Sequence, residues 1–340
     1  MDAVGVQSYL RSRFASDVEV TTVKRSFPGM SRDTWLVRVT SSEGGGEASS
    51  RGFVFRMDAP GGSICPTPLK REYEVYRRLY GTAVPVPRTY WYETDQGWLT
   101  SGREFYVREL VDGAMEVPHL FDDNAEGSAL RLAVGRELVE KLAAVHLVDW
   151  KALGFDAVFE APPDTASTAR FDLDLWEDIL DRELLEPEPL LRLIFNWLRS
   201  NPPPPTTRIC LCKGNNGLSE EVWRGTEIVS MNDWELAHLG DPAEDWVSME
   251  LNPMLGQRGI DPSIDEKLLL RWYEELTGTT ITPERIHYFE LVRGLKTFVN
   301  LVAAARIVDR GEAQRASTAG MALALYRYLG PFARQLKLIS

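Results

Sequence analysis

Near Gly113 the hydrophobic pattern of this 340-residue chain changes period, and that change limits the fold more than any other feature. Before it, apolar residues alternate in short runs: VEVTTVKRSF, TWLVRVT, RGFVFRMD and, after one helical stretch, VPVPRTYWYET and EFYVRELVDG. Alternation of that kind buries one face of a strand, and the intervening PGMSRD and SSEGGGEASS read as a turn and a polar loop. A helix over residues 3–14 precedes the strands, and PLKREYEVYRRLY supplies an amphipathic helix among them. After Gly113 the spacing becomes three-to-four. ALRLAVGRELVEKLAAVHLVDW, FDLDLWEDILDRELL, EPLLRLIFNWLRSN and the chain from KLLLRWYEELTG onward read as helices, broken by two short strands, ICLCK and EIVSMND. The expected architecture is α+β, with a small strand-rich lobe over residues 1–110, a larger helical lobe over 111–340 and a cleft between them.

Charge and cysteine content restrict the partners. A net charge of −12 argues against nucleic acid or an anionic membrane surface, because a phosphate backbone rewards clustered Lys and Arg. Cys65, Cys210 and Cys212 are too few for a disulfide framework, and the alternation in IleCysLeuCys reads as buried strand thiols. No stretch reaches the ~18 apolar residues of a membrane span, and the N-terminus lacks a signal-peptide core. The expectation is a soluble cytoplasmic protein, its oligomeric state undefined by the sequence. His119, His238 and His287 have no ligand spacing, and His146 reads as a packed helix-end residue. Trp98, Trp176, Trp197 and Trp272 are core candidates before they are pocket candidates.

The chemistry concentrates in a few places. The turn PheProGlyMetSer brings Gly29 and Ser31 between the first two strands, where backbone amides approach phosphate oxygens. Arg56 ends the third strand, and Glu72 lies on the following helix; a carboxylate can fix a phosphate-binding cation in that way, although an Arg and a Glu 16 residues apart usually mean nothing by themselves. MNDWELAHLGDP, which contains Asp233, is dense in acidic and small residues, as a metal and phosphate site would be. Upstream, Lys213, Asn215 and Glu220 occupy LCKGNNGLSEEVW.

The order FPGMSRDTWLV, VFRMDAPGG, REYEVYRRL, VPVPR, YVRELVDG, LAAVHLVDW and MNDWELAHLGDPAEDW resembles the aminoglycoside phosphotransferase-like, choline-kinase-like family over about residues 20–335. The branch it is most similar to is the kinase domain fused to acyl-CoA dehydrogenases, which argues against an antibiotic substrate. The resemblance implies a protein-kinase-like fold, ATP and Mg²⁺ in the cleft, and a small hydroxylated substrate on the helical lobe. It maps Arg56 and Glu72 onto the phosphate-binding pair, Glu109 and Val111 onto the hinge that receives adenine, and Asp233 onto the metal ligand. Asp241 and Asp245 fall on positions that fix loops.

The chain departs from the family at the catalytic loop, where a His-Gly-Asp run with an Asn five residues after the Asp is usual. Lys213, Gly214 and Asn215 stand for the run and Glu220 for the later Asn. An amide cannot accept the proton of an attacking hydroxyl, a function worth roughly 10²–10⁴ in rate. Glu220 remains a second metal-ligand candidate beside Asp233. Three readings stay open: phosphoryl transfer by positioning and electrostatics alone, a silent pseudokinase that binds nucleotide while Lys213 merely pairs with Glu220 or Glu221, and a cleft retasked as a lyase or dehydratase. In the last, Lys213 works as an acid–base partner of Glu220 or Asp233.

Overall fold

The structure, a computed structural model, describes residues 1–14, 18–26, 31–41, 49–65, 67–249 and 266–337. The alternating runs pair into one antiparallel sheet. Strands β1 (Val18–Arg25), β2 (Arg32–Ser41), β3 (Ser49–Asp58), β4 (Thr89–Glu93) and β5 (Phe105–Glu109) lie in the order β1-β2-β3-β5-β4. Alternation sets the two faces. Phe53, Phe55 and Met57 of β3 join Val37, Val39, Phe105 and Val107 in a core that packs against helix α1 (Ala3–Arg13). Tyr9 of α1 meets the rings of Phe105, Trp98, Phe55 and Trp91 at centroid distances of 5.0–6.0 Å. The alternate residues Val54 and Arg56 face the interlobe cleft instead. Burying each of those large apolar side chains contributes roughly 1.5–3 kcal/mol. A one-residue slip of β3 would drive Arg56 into that aromatic core, so the packing fixes the register that aims Arg56 at the cleft.

Helix α2 (Leu69–Leu79) packs Leu69, Val75, Tyr76 and Leu79 into the main core. Glu72 sits in its first turn, where the helix dipole favours a carboxylate, and it is buried with them. The helical lobe is built from α3 (Ala125–Leu147), α4 (Thr168–Glu183), α5 (Pro189–Ser200), α6 (Pro242–Ser248), α7 (Glu266–Thr277), α8 (Pro283–Asp309) and α9 (Ala316–Gln335). The expected two-lobe α+β arrangement is the one that forms.

Between α5 and α6 the structure is richer than the periodicity predicts. ICLCK and EIVSMND give β6 (Cys210–Cys212) and β8 (Glu227–Ser230), but each pairs with a further strand. β6 pairs with β9 (His238–Gly240), and β8 pairs with β7 (Val222–Arg224). Three residues are too few to display alternation. Helix α6 was also hidden, although its signal is present: the Asp241 carboxylate accepts from the Ala243 N–H at 2.9 Å and Pro242 opens the first turn. Ala114, just after the sheet, forms a two-bond bridge with Trp223 of β7, at 2.9 and 2.7 Å, tying the connection between lobes to the ribbon. Trp98 packs with the α1 core, while buried Trp176 and partly buried Trp197 and Trp272 belong to the main core, the role read for them from sequence.

Candidate active site

The loop after β6 carries residues 213–221, and the segment after β8 carries 231–237; the two cross at close range. Gly214 permits this. Its φ is +81°, and a Cβ there would lie 2.5 Å from the carbonyl oxygen of Leu236. Asp245 of α6 fixes the loop start, accepting the backbone N–H groups of Lys213 and Gly214 at 2.6 Å each. His146 of α3 braces Asp245 at 3.1 Å and contacts the Tyr273 hydroxyl at 2.6 Å. Burial alone would raise the Asp245 carboxyl, but these hydrogen bonds hold it below the ordinary range. Loop fixing is thus the work of Asp245. Asp241 caps α6 and pairs with Arg285.

The crossing places Asn215 against Asp233. The Asn215 Nδ2 donates to Asp233 Oδ2 at 2.7 Å, while Arg56 Nη2 reaches Asp233 Oδ1 at 2.8 Å. Arg56 in turn pairs with Glu72 at 3.0 Å. Burial opposes the charge on Arg56, but Glu72 and Asp233 hold its proton well above the ordinary arginine value. Glu72 is likewise kept below the normal carboxylate range by Arg56 and Arg32, despite its burial. Asp233 adopts φ +62°, a left-handed conformation that Asp and Asn tolerate and that functional sites often retain. Its N–H donates to the Tyr76 hydroxyl at 3.2 Å.

These groups line a cleft of about 630 Å³ between the lobes. Ser31, Arg56, Val111, Asn215, Glu220 and Asp233 all contribute to its wall. Gly29 lies outside the described residues. Ser31 and Glu109 make contacts that the sequence did not show. Ser31 donates its hydroxyl to the Glu235 carboxylate instead of standing free for a phosphate. Glu109 does not line the cleft: its side chain accepts the Arg88 N–H at 3.3 Å, its own N–H donates to the Arg88 carbonyl at 2.8 Å, and its carbonyl accepts from Arg108. Neither the N–H nor the carbonyl of Val111 enters a backbone hydrogen bond among the described residues, so both are open to a ligand.

Lys213 does not line the cleft. Its side chain is fully buried, pairs with Glu221 at 3.1 Å, donates to the Asn215 carbonyl and lies 5.8 Å from the Trp234 ring centroid. Glu221 also accepts the Asn232 N–H at 3.0 Å. Burial pushes the Glu221 carboxyl up, and Lys213 pulls it back. Lys213 is therefore a buried strut beneath the loop. Lys213→Met leaves Glu221 buried and unpaired and is expected to destabilise the fold by about 3–5 kcal/mol. Adding Glu221→Leu should recover most of that loss, with both read by urea denaturation.

Glu235 was not anticipated, although a second carboxylate two residues after Asp233 was the available signal. It is buried, with Arg32 at 3.6 Å and Arg56 at 3.7 Å. Burial, and then the charge of Asp233, push its carboxyl up to about 7. Ser31 Oγ lies 2.7 and 2.6 Å from its two oxygens. A serine has one proton to give, so both contacts are satisfied only when Glu235 is protonated. An unfolded glutamate titrates near ~4.3, so the stabilising contribution is full below that pH and lost as pH rises through 7. Glu235→Gln cannot ionise, and its Tm is expected to rise relative to the parent between about pH 5 and pH 8.

The opposite wall is also polar. Lys296 of α8 pairs with Asp172 at 2.8 Å and with Glu244, which holds His238 at 2.9 Å. Burial would lower His238, yet Glu244 keeps its proton well above the ordinary histidine value. Asp172, His238 and Glu244 are grouped closely enough for a metal, but the Lys296 ammonium already neutralises them.

Residues 13–277 match the model of the phosphotransferase enzyme family. The chain belongs to that family. Among curated proteins it is similar to rat acyl-CoA dehydrogenase family member 11, 27% identical over 258 residues, covering 74% of this chain and 31% of that protein. The chicken protein of the same name is 27% identical over 293 residues, covering 79% and 34%. The chain thus spans about a third of the length of the curated relatives it matches. A putative aminoglycoside phosphotransferase from Ralstonia eutropha superposes with a TM-score of 0.67 over 98% of both chains, at 22% identity. Aminoglycoside phosphotransferase APH(4)-Ia, in a ternary complex with AMP-PNP and hygromycin B, gives 0.54 over 95% of this chain and 98% of that one, at 16% identity. The fold is protein-kinase-like, with the sheet as the small lobe. Among the described residues no helix is long and apolar enough to cross a membrane.

Proposed function

We propose that this chain is a nucleotide- and Mg²⁺-dependent phosphotransferase that acts on a hydroxyl of a small molecule. One observation carries the reading: Arg56, anchored by Glu72 at 3.0 Å, reaches Asp233 at 2.8 Å across the lobes. The phosphate-binding cation and the metal ligand are therefore assembled before any ligand arrives. Phosphoryl transfer depends mainly on positioning and charge neutralisation, so this preassembly supplies most of what the chemistry needs. Asp233 and Glu220 both line the cleft and provide hard carboxylate oxygens, the donor type that suits Mg²⁺. When bound, the metal would neutralise charge on the transferring phosphate. Asn215 keeps the Asp233 carboxylate oriented and takes no proton. Lys296, Glu244 and Asn300 give the acceptor wall polar groups for a hydroxylated molecule. A structural neighbour in ternary complex with AMP-PNP and hygromycin B supports a nucleotide and a small-molecule acceptor as the two ligands.

A second reading has one observation behind it. The amide at 215 is neutral and already committed to Asp233, as a nucleotide-binding protein without turnover would have it. The lyase reading loses its support, because its acid–base partner Lys213 is buried against Glu221. Incubation with γ-labelled ATP or GTP, Mg²⁺ and a panel of small alcohols distinguishes the two remaining readings. Label in a small-molecule product supports transfer. Label retained wholly on the nucleotide, despite measurable binding, supports the silent site.

A further inference from the structure

Among the described residues, one buried cation in the cleft is not matched by any anion. Strand β5 alternates, so that Phe105 and Val107 enter the aromatic core while Tyr106 and Arg108 face the cleft side. Arg108 pairs across the sheet with Val54, lines the cleft, and is only 9% exposed. Its guanidinium stacks 5.2 Å from the Tyr76 ring centroid. Nη1 donates to the Glu109 carbonyl at 3.3 Å, but the buried Nε has no hydrogen-bond partner. Among the described residues, Arg108 forms no ion pair. Arg32 and Arg56, by contrast, each contact two carboxylates at 3.0 Å or less. A guanidinium buried with unmet donors is costly unless a ligand brings acceptors to it.

The position of Arg108 says which ligand edge it meets. It immediately precedes Glu109, Leu110 and Val111, the segment with an unbonded Val111 N–H and carbonyl, and it lies beside the apolar Leu36 and Val54. A flat heterocycle seated there presents its edge to Arg108 and to that backbone. A guanidinium only donates. The edge of a 6-oxopurine offers two acceptors, O6 and N7, in the spacing that arginine meets with two hydrogen bonds. Adenine places an amino group at the same edge, donor against donor. We infer that Arg108 makes this cleft select 6-oxopurine nucleotides over adenine nucleotides. The inference rests on the nucleotide-binding reading and replaces the ATP expected from family resemblance with a guanosine- or inosine-type donor.

Titration calorimetry with GDP, IDP and ADP in the presence of Mg²⁺ tests it on the intact chain and on Arg108→Met. GDP and IDP are expected to bind within about threefold of each other and at least about tenfold more tightly than ADP, the discrimination an arginine–purine pair provides. Inosine lacks the 2-amino group, so its agreement with GDP assigns the preference to the 6-position. In Arg108→Met the preference should vanish; if that variant does not fold, Arg108→Gln, whose amide both donates and accepts, should erase it equally. ADP binding as tightly as GDP to the parent overturns the inference and leaves nucleotide binding intact. A preference that survives both substitutions overturns the assignment to Arg108. No binding of any of the three overturns the nucleotide reading as well.

Discussion

Asp233→Asn is expected to lower nucleotide turnover by at least about 10²-fold, the scale on which a single preorganised charge-stabilising group acts. The substitution is a clean probe. Asparagine tolerates the φ of +62° and still accepts a hydrogen bond from Asn215, so the local backbone need not move. Arg56 loses one partner but keeps Glu72 at 3.0 Å, which limits the loss of stability. What disappears is the carboxylate charge that would bind the metal. The variant's nucleotide affinity should become insensitive to Mg²⁺, whereas the parent's should rise with it. Calorimetric titrations with and without EDTA read this difference, and equal Mg²⁺ dependence in both proteins would remove Asp233 from the metal site.

The second large effect has the opposite sign. Asn215→Asp restores a carboxylate where an acceptor hydroxyl would lose its proton, and turnover is expected to rise by roughly 10²–10⁴. That corresponds to about 3–5.5 kcal/mol of barrier. The gain carries a stability cost that makes it diagnostic. Residue 215 now approaches Asp233 to 2.7 Å as a donor, and two carboxylates at that range repel. The variant should melt below the parent without Mg²⁺ and recover when it is added. Unchanged turnover, with the expected Mg²⁺-dependent melting, would mean that proton removal does not limit this site.

Much of this was legible in the sequence, for identifiable reasons. Period-two runs marked the sheet, and the same alternation turned Arg56 toward the cleft while Phe55 entered the core. The family resemblance pairs Arg56 with Glu72 and names Asp233, and the three side chains do meet. What escaped depends on tertiary contact. Strands β7 and β9 are three residues each and exist through their partners. Whether Lys213 works in the cleft or merely pairs with Glu220 or Glu221 was open in the sequence; its burial against Glu221 is a tertiary contact that no local pattern displays. Glu235 differs from Asp233 only in position along the loop, and its elevated carboxyl arises from burial that no local pattern displays. Arg108 could have been placed on the face of Tyr106 by counting along β5, but its lack of an anionic partner is a property of the assembled cleft.

The most direct test of the central claim, a cleft preassembled for nucleotide and metal, is the melting temperature of the wild-type chain. It should be measured with Mg²⁺ alone, with GTP or ATP alone, and with each pair together. A ligand that binds only the folded state at a hundred times its Kd stabilises by about 2.7 kcal/mol. The account predicts a rise in Tm that needs nucleotide and Mg²⁺ together, disappears with EDTA and is absent in Asp233→Asn. An unchanged Tm at millimolar nucleotide, with either purine and with Mg²⁺ present, would contradict it.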